Sequence, residues 1–186
     1  MPGISLRAAT AHDLPAINAI YNHYVIHSTA TYQEEPATAP EREAWYAAHG
    51  MEYPVIVAEM MGEVIGWGSL SRFHARAAYR PTVENSVYVR HDHLARGVGR
   101  LLLTDLIVRA RELGYHSIIA GISADQEPSV RLHAKLGFTQ VGLLREVGRK
   151  FDRWLDVMYM QKMLSENERS GVAGEKNERR GAEAQR

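Results

Sequence analysis

The chain predicts a single α/β domain on three observations. Segments with the two-residue period of strands alternate with segments of helical period, one strand runs through a glycine-bearing turn into a long amphipathic helix, and the composition supports one packed core. The 186 residues are 45% hydrophobic, which suits one domain of ordinary size. Lys plus Arg and Asp plus Glu each number 22, so the formal net charge is +0. Domains that bind nucleic acid usually carry a basic excess, so no nucleic-acid partner is expected. The absence of cysteine excludes a disulfide framework, a thiolate metal site and a thiol nucleophile. There is no apolar run of the roughly 18 residues a membrane helix needs, and residues 1–10 lack a signal-peptide profile. The expectation is a cytoplasmic protein with no membrane partner.

Residues 4–8 read as the first strand. Thr10-Ala11-His12-Asp13 has the form of a capping box and opens a helix through Tyr24. Residues 28–40, rich in Thr, Glu and Pro, read as a surface loop, and a short helix follows over 41–49. Strands over 55–59 and 63–70 form a hairpin about Met61-Gly62, and a linker over 72–81 leads into the strand that holds Glu84. The first strands are therefore expected as antiparallel neighbours. From 97 to 113, Val98, Leu101, Leu102, Leu106, Ala110 and Leu113 recur at helical spacing, and Gly114 ends the helix. A strand over 116–122, a helix over 128–136 stopped by Gly137, a strand over 138–142 and a last strand over 154–163 complete a domain of residues 1–164. Residues 165–186, with few apolar side chains and alternating Glu and Lys or Arg, are expected as a disordered tail.

The chemistry concentrates between Thr82 and Arg100. Thr82-Val83-Glu84-Asn85-Ser86-Val87-Tyr88-Val89 puts a carboxylate on a strand, and Leu94-Ala95-Arg96-Gly97-Val98-Gly99-Arg100 then opens a helix with two glycines flanked by arginines. Glycines let backbone N–H groups approach a diphosphate closely, the helix N-terminus favours negative charge, and Arg96 and Arg100 add mobile positive charge. Read alone, this turn also fits an ordinary glycine-bearing helix start. Strand alternation sets Glu84, Ser86 and Tyr88 on one face, unless a β-bulge shifts the parity. Glu84 reads either as a general base, able to free the lone pair of a protonated amine, or as a solvated carboxylate. His91 and His93 have a His-x-His spacing but no third ligand nearby, so no metal is expected.

These stretches, together with Ser129-Val130-Arg131-Leu132-His133-Ala134-Lys135-Leu136-Gly137-Phe138 and Gly148-Arg149-Lys150-Phe151-Asp152-Arg153-Trp154-Leu155-Asp156, resemble the GCN5-related N-acetyltransferase (GNAT) superfamily. Within it they resemble the phosphinothricin and methionine sulfoximine acetyltransferase group. The resemblance spans residues 4–164. It implies a mixed central sheet of six to seven strands with helices on both faces and a splay between central strands that receives acetyl-CoA. The cofactor's pantetheine arm would pair with the backbone of Val87, Tyr88 and Val89, its diphosphate would rest on the amides of Ala95, Arg96, Gly97, Val98, Gly99 and Arg100, and Gln126 would contact the arm. The superfamily turn begins with Gln or Arg where this chain has Leu94, and relatives usually place Asn where Gln126 stands.

The same resemblance makes Glu84 the general base and His133 a candidate proton donor to the departing thiolate, beside the plain reading of a helix histidine with a satisfied ring. It assigns Tyr32 and Glu34, in a loop like the family's substrate loop, and Ser86 to acceptor binding. Arg72, His74, Arg76 and Arg80 crowd the approach to Glu84 and suit a carboxylate or oxyanion, which Arg clamps bidentately; as an alternative they are surface charge. Lys150, Trp154 and Asp156 either line the site or fix the final strand. The implied activity is direct acetylation, without an acyl-enzyme, of the α-amine of a small glutamate-like acid such as phosphinothricin, methionine sulfoximine or sulfone, or an arsenic analogue, in detoxification by a homodimer. The alternatives are acetylation of protein N-termini or polyamines, and a non-catalytic CoA-binding module.

Overall fold

The computed structural model describes residues 3–164; the tail expected over 165–186 lies outside them. Four helices and seven strands follow in the order β1 (Ser5–Ala8), α1 (Leu14–His27), α2 (Ala39–Ala47), β2 (Val55–Met60), β3 (Glu63–Arg72), β4 (Thr82–Val89), α3 (Val98–Glu112), β5 (Ser117–Ser123), α4 (Glu127–Lys135), β6 (Thr139–Lys150) and β7 (Arg153–Met163). The strands make one sheet in the order β1-β2-β3-β4-β5-β7-β6. The expected antiparallel run of the first strands is present, and the only parallel pair in the sheet is β4 with β5, joined by the crossover that carries α3.

Helices cover both faces, so inner strands are apolar on both sides. On one face Val98, Leu102, Leu103, Leu106 and Ala110 of α3 pack against Ile56, Ile65, Leu70, Val83 and Ile118. On the other, Leu14, Ile17 and Ile20 of α1 pack against Val55, Val57 and Trp67. The close seat of α3 depends on two glycines of β3. A Cβ on Gly68 would stand 2.9 Å from Leu106 Cδ1, and one on Gly66 would stand 3.1 Å from Val98 Cγ1. No helix among the described residues is long and apolar enough to cross a membrane.

Besides shifts of about two residues in the bounds of α2 and β3, two elements differ from the sequence expectation. The Thr10–Asp13 box closes on a 3-10 turn rather than on the helix itself, and α1 starts one residue later and runs three residues past Tyr24. The strand expected over 138–142 continues to Lys150 and forms a long hairpin with β7. Its register shifts between Leu144 and Gly148, with Glu146 at φ +50, and this bulge breaks the two-residue period that would have marked the strand.

Candidate active site

β4 and β5 are paired at only three positions, Thr82 with Ser117, Val83 with Ile118 and Glu84 with Ile119. Beyond Glu84 the two strands part. The gap is a cavity of about 420 Å³ walled by residues 85–89 of β4, 120–123 of β5, the start of α3 and one side of α4, with Tyr24 and Ala30 closing it above. Its size is that of a small-molecule site.

At the α3 end the cavity presents backbone donors. Gly97 caps the helix at φ +82, with Ala95 also left-handed at φ +59, and such alternation turns successive amides toward one point. The first intrahelical bond runs from Leu101 N–H to the Gly97 carbonyl at 3.1 Å, so the amides of Val98, Gly99 and Arg100 have no helical acceptor. Ala95, Gly97, Val98, Gly99 and Arg100 line the cavity, whereas Arg96 is exposed outside it. The loop before α3 is braced by Arg90, which reaches Glu63 at 2.9 Å and Asp92 at 2.8 Å, and by Asp92 with the buried His93 ring at 2.8 Å. This preset donor array suits a diphosphate without any metal.

Glu84 stands at the last paired position before the strands part, next to the cavity-lining Asn85 and not itself in the lining. β3 and β4 keep register without a shift from Gly66–Val89 to Arg72–Val83, so the parity holds and Glu84, Ser86 and Tyr88 share a face. The Glu84 carboxylate lies over β5, where a Cβ on Gly121 would stand 3.3 Å from Oε1 and 3.5 Å from the Tyr159 ring. It makes no hydrogen bond or ion pair among the described residues. Burial alone pushes its pKa up from the ordinary 4.5, as expected of a carboxylate losing water without gaining a cation.

His133 is buried in the cavity wall with both ring nitrogens engaged: Nδ1 lies 2.8 Å from the Ser129 carbonyl and Nε2 3.0 Å from Asn85 Nδ2. A carbonyl only accepts, so Nδ1 carries the hydrogen, and burial, against the pull of the Ser129 carbonyl, lowers the pKa. The neutral ring then accepts from Asn85 through Nε2. Asn85 Oδ1 is left buried without a partner among the described residues.

Residues 6–159 match the family described as an acetyltransferase (GNAT) domain. The chain belongs to the GNAT acetyltransferase family. It is 40% identical over 172 residues to the L-amino acid N-acyltransferase MnaT of Escherichia coli, covering 92% of this chain and 100% of that one. It is 42% identical over 165 residues to an L-methionine sulfoximine/L-methionine sulfone acetyltransferase of Salmonella typhimurium, with 88% and 96% covered. A GNAT superfamily phosphinothricin acetyltransferase from Sinorhizobium meliloti, solved in complex with acetyl-CoA, matches with a TM-score of 0.85 at 39% identity, covering 88% of this chain and 89% of that one.

In this GNAT acetyltransferase the segment expected to bind the acceptor rests on β5, β6 and β7. The Tyr32 ring rests on Gly148, where a Cβ would come within 2.5 Å of it. Its hydroxyl lies 3.1 Å from Ser123 Oγ and 3.0 Å from the Asp156 carbonyl, its single proton shared between these two acceptors. Lys150 is 4% exposed, and its Nζ donates to the carbonyls of Ser28 and Thr31, both at 2.8 Å. Burial pulls its pKa below the ordinary lysine value, opposed by the nearby Glu34 carboxylate. Lys150 and Asp156 thus hold the loop that bears Tyr32 and Glu34, while Trp154 is exposed.

The predicted arginines divide. Arg72 stands opposite Val83, on the face away from Glu84, with Nε 3.4 Å from the Tyr53 hydroxyl. The structure does not bring it to the Glu84 face, because it lies one residue past Ser71, the partner of Glu84. His74, Arg76 and Arg80 are exposed in the β3–β4 loop, which ends two residues before Glu84; their contacts are local, with the Arg76 amide donating to His74 Nδ1 at 3.2 Å and Arg80 Nε to the Ala77 carbonyl at 3.4 Å. Gln126 lines the cavity, with Nε2 donating to Thr29 Oγ1 at 2.8 Å. Sequence reading assigned no role to Asn85, Gly121, Thr29 or Asp125. Strand alternation from Glu84 puts Asn85 on the α4 side, but no local pattern marks the other three: Gly121 matters through its closeness to Glu84, and Thr29 and Asp125 through a contact across 96 residues of chain.

Proposed function

We propose that this GNAT acetyltransferase transfers the acetyl group of acetyl-CoA to the α-amino group of a small glutamate-like amino acid, of the phosphinothricin or methionine sulfoximine kind. The observation that carries the reading is Glu84: a desolvated carboxylate with no partner among the described residues, at the fork where β4 and β5 part, beside a cavity whose α3 end presents a cradle of backbone donors. The residues fit the cofactor. The free amides of α3 and Arg100 would hold the diphosphate, the parted edge of β4 at residues 87–89 offers backbone partners to an extended arm, and Asn85 and Gln126 add polar side chains along the wall.

When bound, acetyl-CoA supplies an activated acetyl thioester. Glu84 accepts the proton of the substrate ammonium, directly or through water, and a raised pKa makes the carboxylate a better proton acceptor near neutrality. A backbone amide of β4 between Val87 and Val89 would stabilise charge developing on the thioester carbonyl as the amine adds, and CoA would leave as its thiolate without a proton donor. His133, with its only ring proton committed to Ser129, acts in this reading by shaping the cavity wall with Asn85 rather than by donating a proton. His74, Arg76 and Arg80 would meet the acceptor's acidic groups. Acetylation turns a cationic amine into a neutral amide, which suits detoxification of a compound recognised through its ammonium group.

The test is thiol release from acetyl-CoA with phosphinothricin, methionine sulfoximine, spermidine and a short peptide as acceptors. Turnover on an amino-acid analogue is expected; turnover confined to the peptide or to spermidine would replace the substrate reading, and CoA binding without turnover on any of them would favour a binding module.

A homodimer is part of the same reading. β6 is the sheet edge and exposes Val141, Leu143, Leu144 and Val147 to solvent, and an apolar edge of this length invites a partner. Sedimentation equilibrium should give twice the chain mass for the native protein and the chain mass for a Leu144→Lys/Val147→Lys variant; a native monomer would remove the dimer.

A further inference from the structure

The segment 28–32 crosses the cavity from the end of α1 to the β5–α4 junction, and one carboxylate ties its two ends of chemistry together. Asp125 Oδ1 accepts from Thr29 Oγ1 and from Ser123 Oγ, both at 2.8 Å, while Oδ2 meets Arg153 at 3.1 Å. Ser123 in turn accepts from the Tyr32 hydroxyl. Although burial works against it, the bonds from Thr29, Ser123, Gln126 and Arg153 hold the Asp125 carboxyl below its ordinary pKa, so it only accepts.

The direction of every bond follows. Thr29 has one hydroxyl proton, and it goes to the carboxylate, so Thr29 Oγ1 must accept from Gln126, at 2.8 Å. Gln126 therefore presents its NH2 end to Thr29 and Asp125. Its Oε1 makes no hydrogen bond among the described residues, and Gln126 lines the cavity. Thr29 itself is 4% exposed and out of reach of bulk water.

We propose that Thr29 and Asp125 are positioning residues that couple the two substrate sites: through one hydrogen-bonded unit they fix the loop bearing Tyr32 and turn the Gln126 carbonyl toward an N–H of the acyl-donor arm. The proposal rests on the reading of the cavity as the acetyl-CoA site. It rests also on the Tyr32 loop as part of the acceptor site; with one hydrogen-bonded unit shared by both sites, a ligand that holds the unit at one site favours the geometry the other needs, so CoA binds more tightly when the amino-acid acceptor is present, and by linkage the reverse.

The test is titration calorimetry of CoA, with and without saturating methionine sulfoximine, on the native enzyme, Thr29→Val and Thr29→Ser. Val keeps the shape of Thr but neither donates nor accepts; Ser keeps the hydroxyl. The native enzyme should bind CoA about fivefold or more tightly with the acceptor present. Thr29→Val should weaken CoA about tenfold, the effect of one lost hydrogen bond, and abolish the dependence on acceptor, and Thr29→Ser should restore both. Adenosine 3′,5′-bisphosphate, which lacks the arm, should bind Thr29→Val as it binds the native protein. Native CoA affinity in Thr29→Val, equal weakening of the bisphosphate, or no restoration by Ser would overturn the proposal. If Thr29→Val fails to fold, Asp125→Asn is read by the same criteria. A Gly99→Leu variant with native CoA affinity would instead show that the cavity reading itself is wrong.

Discussion

Replacing Glu84 by Gln lowers the rate of acetyl transfer by two to four orders of magnitude, the range expected for loss of a general base, and leaves CoA affinity within about twofold, since the carboxylate stands beyond the donor array of α3. The same substitution stabilises the fold at neutral pH. Glu84 has a folded-state pKa above the ordinary 4.5 because burial removes water and the protein supplies no hydrogen bond in return. Between the ordinary and the raised value the native state therefore holds more protons than the unfolded state, and stability falls as pH rises through that window and stays lower above it. Gln carries no charge to desolvate, so the Tm of Glu84→Gln should exceed the native Tm by about 1 °C or more at pH 8 and converge with it below pH 4.5. The rate of the native enzyme should rise with pH along a limb whose midpoint lies above 4.5. A variant that is both slower and more stable marks a group held against its own solvation for chemistry; a variant with native turnover would remove Glu84 from the base role.

Much of the fold was legible because its signals are local. The capping box at Thr10, the two left-handed residues Met61 and Gly62 in the hairpin and the glycine stops at Gly114 and Gly137 are all short-range features. The second half of β6 was not legible. Leu143, Leu144 and Val147 are exposed there, Gly142 and Gly148 interrupt the pattern, and the tight turn to β7 is made by Phe151 and Asp152 at φ +51 and +57, of which only Asp is a usual left-handed residue and no glycine marks the turn.

The candidate site divides on the same line. Glu84, the Gly97 turn and the cavity-lining backbone of β4 lie within one continuous strand–loop–helix unit, and alternation from Glu84 correctly set the face of Ser86 and Tyr88. Alternation applied to β3 would have excluded Arg72, had its register with β4 been known; charge alone placed it beside Glu84. The clasp of Thr29, Asp125 and Gln126 joins segments 96 and 97 residues apart, and only the folded chain brings these three ordinary polar residues together.

Gly99→Leu should abolish measurable CoA binding, a loss of at least about a hundredfold, while the protein stays folded. The two glycines of the turn have different tasks. Gly97 adopts φ +82 and has open space where a Cβ would be, so its requirement is conformational. Gly99 does not adopt a left-handed conformation; a Cβ there would stand 3.3 Å from Leu132 Cδ2, 3.7 Å from Val89 Cγ2 and 4.0 Å from Val87 Cγ1, between α4 and the parted edge of β4. Its requirement is space, at the narrow passage that the proposed reading gives the arm between the α3 amides and the fork at Glu84. Gly99→Ala needs only a few tenths of an ångström from the end of Leu132 and gains helix propensity of up to about 1 kcal/mol, so it should bind CoA within a fewfold of native with an equal or higher Tm. Leucine has the same propensity advantage, but its three further carbons extend beyond Cβ into the passage. The graded pair separates blockage from misfolding. If Leu at this position lowers the Tm no more than Ala while only Leu loses CoA by calorimetry, the passage between Val87 and Leu132 carries the arm. Native affinity in Gly99→Leu would mean that the arm runs elsewhere and that the splay serves another ligand.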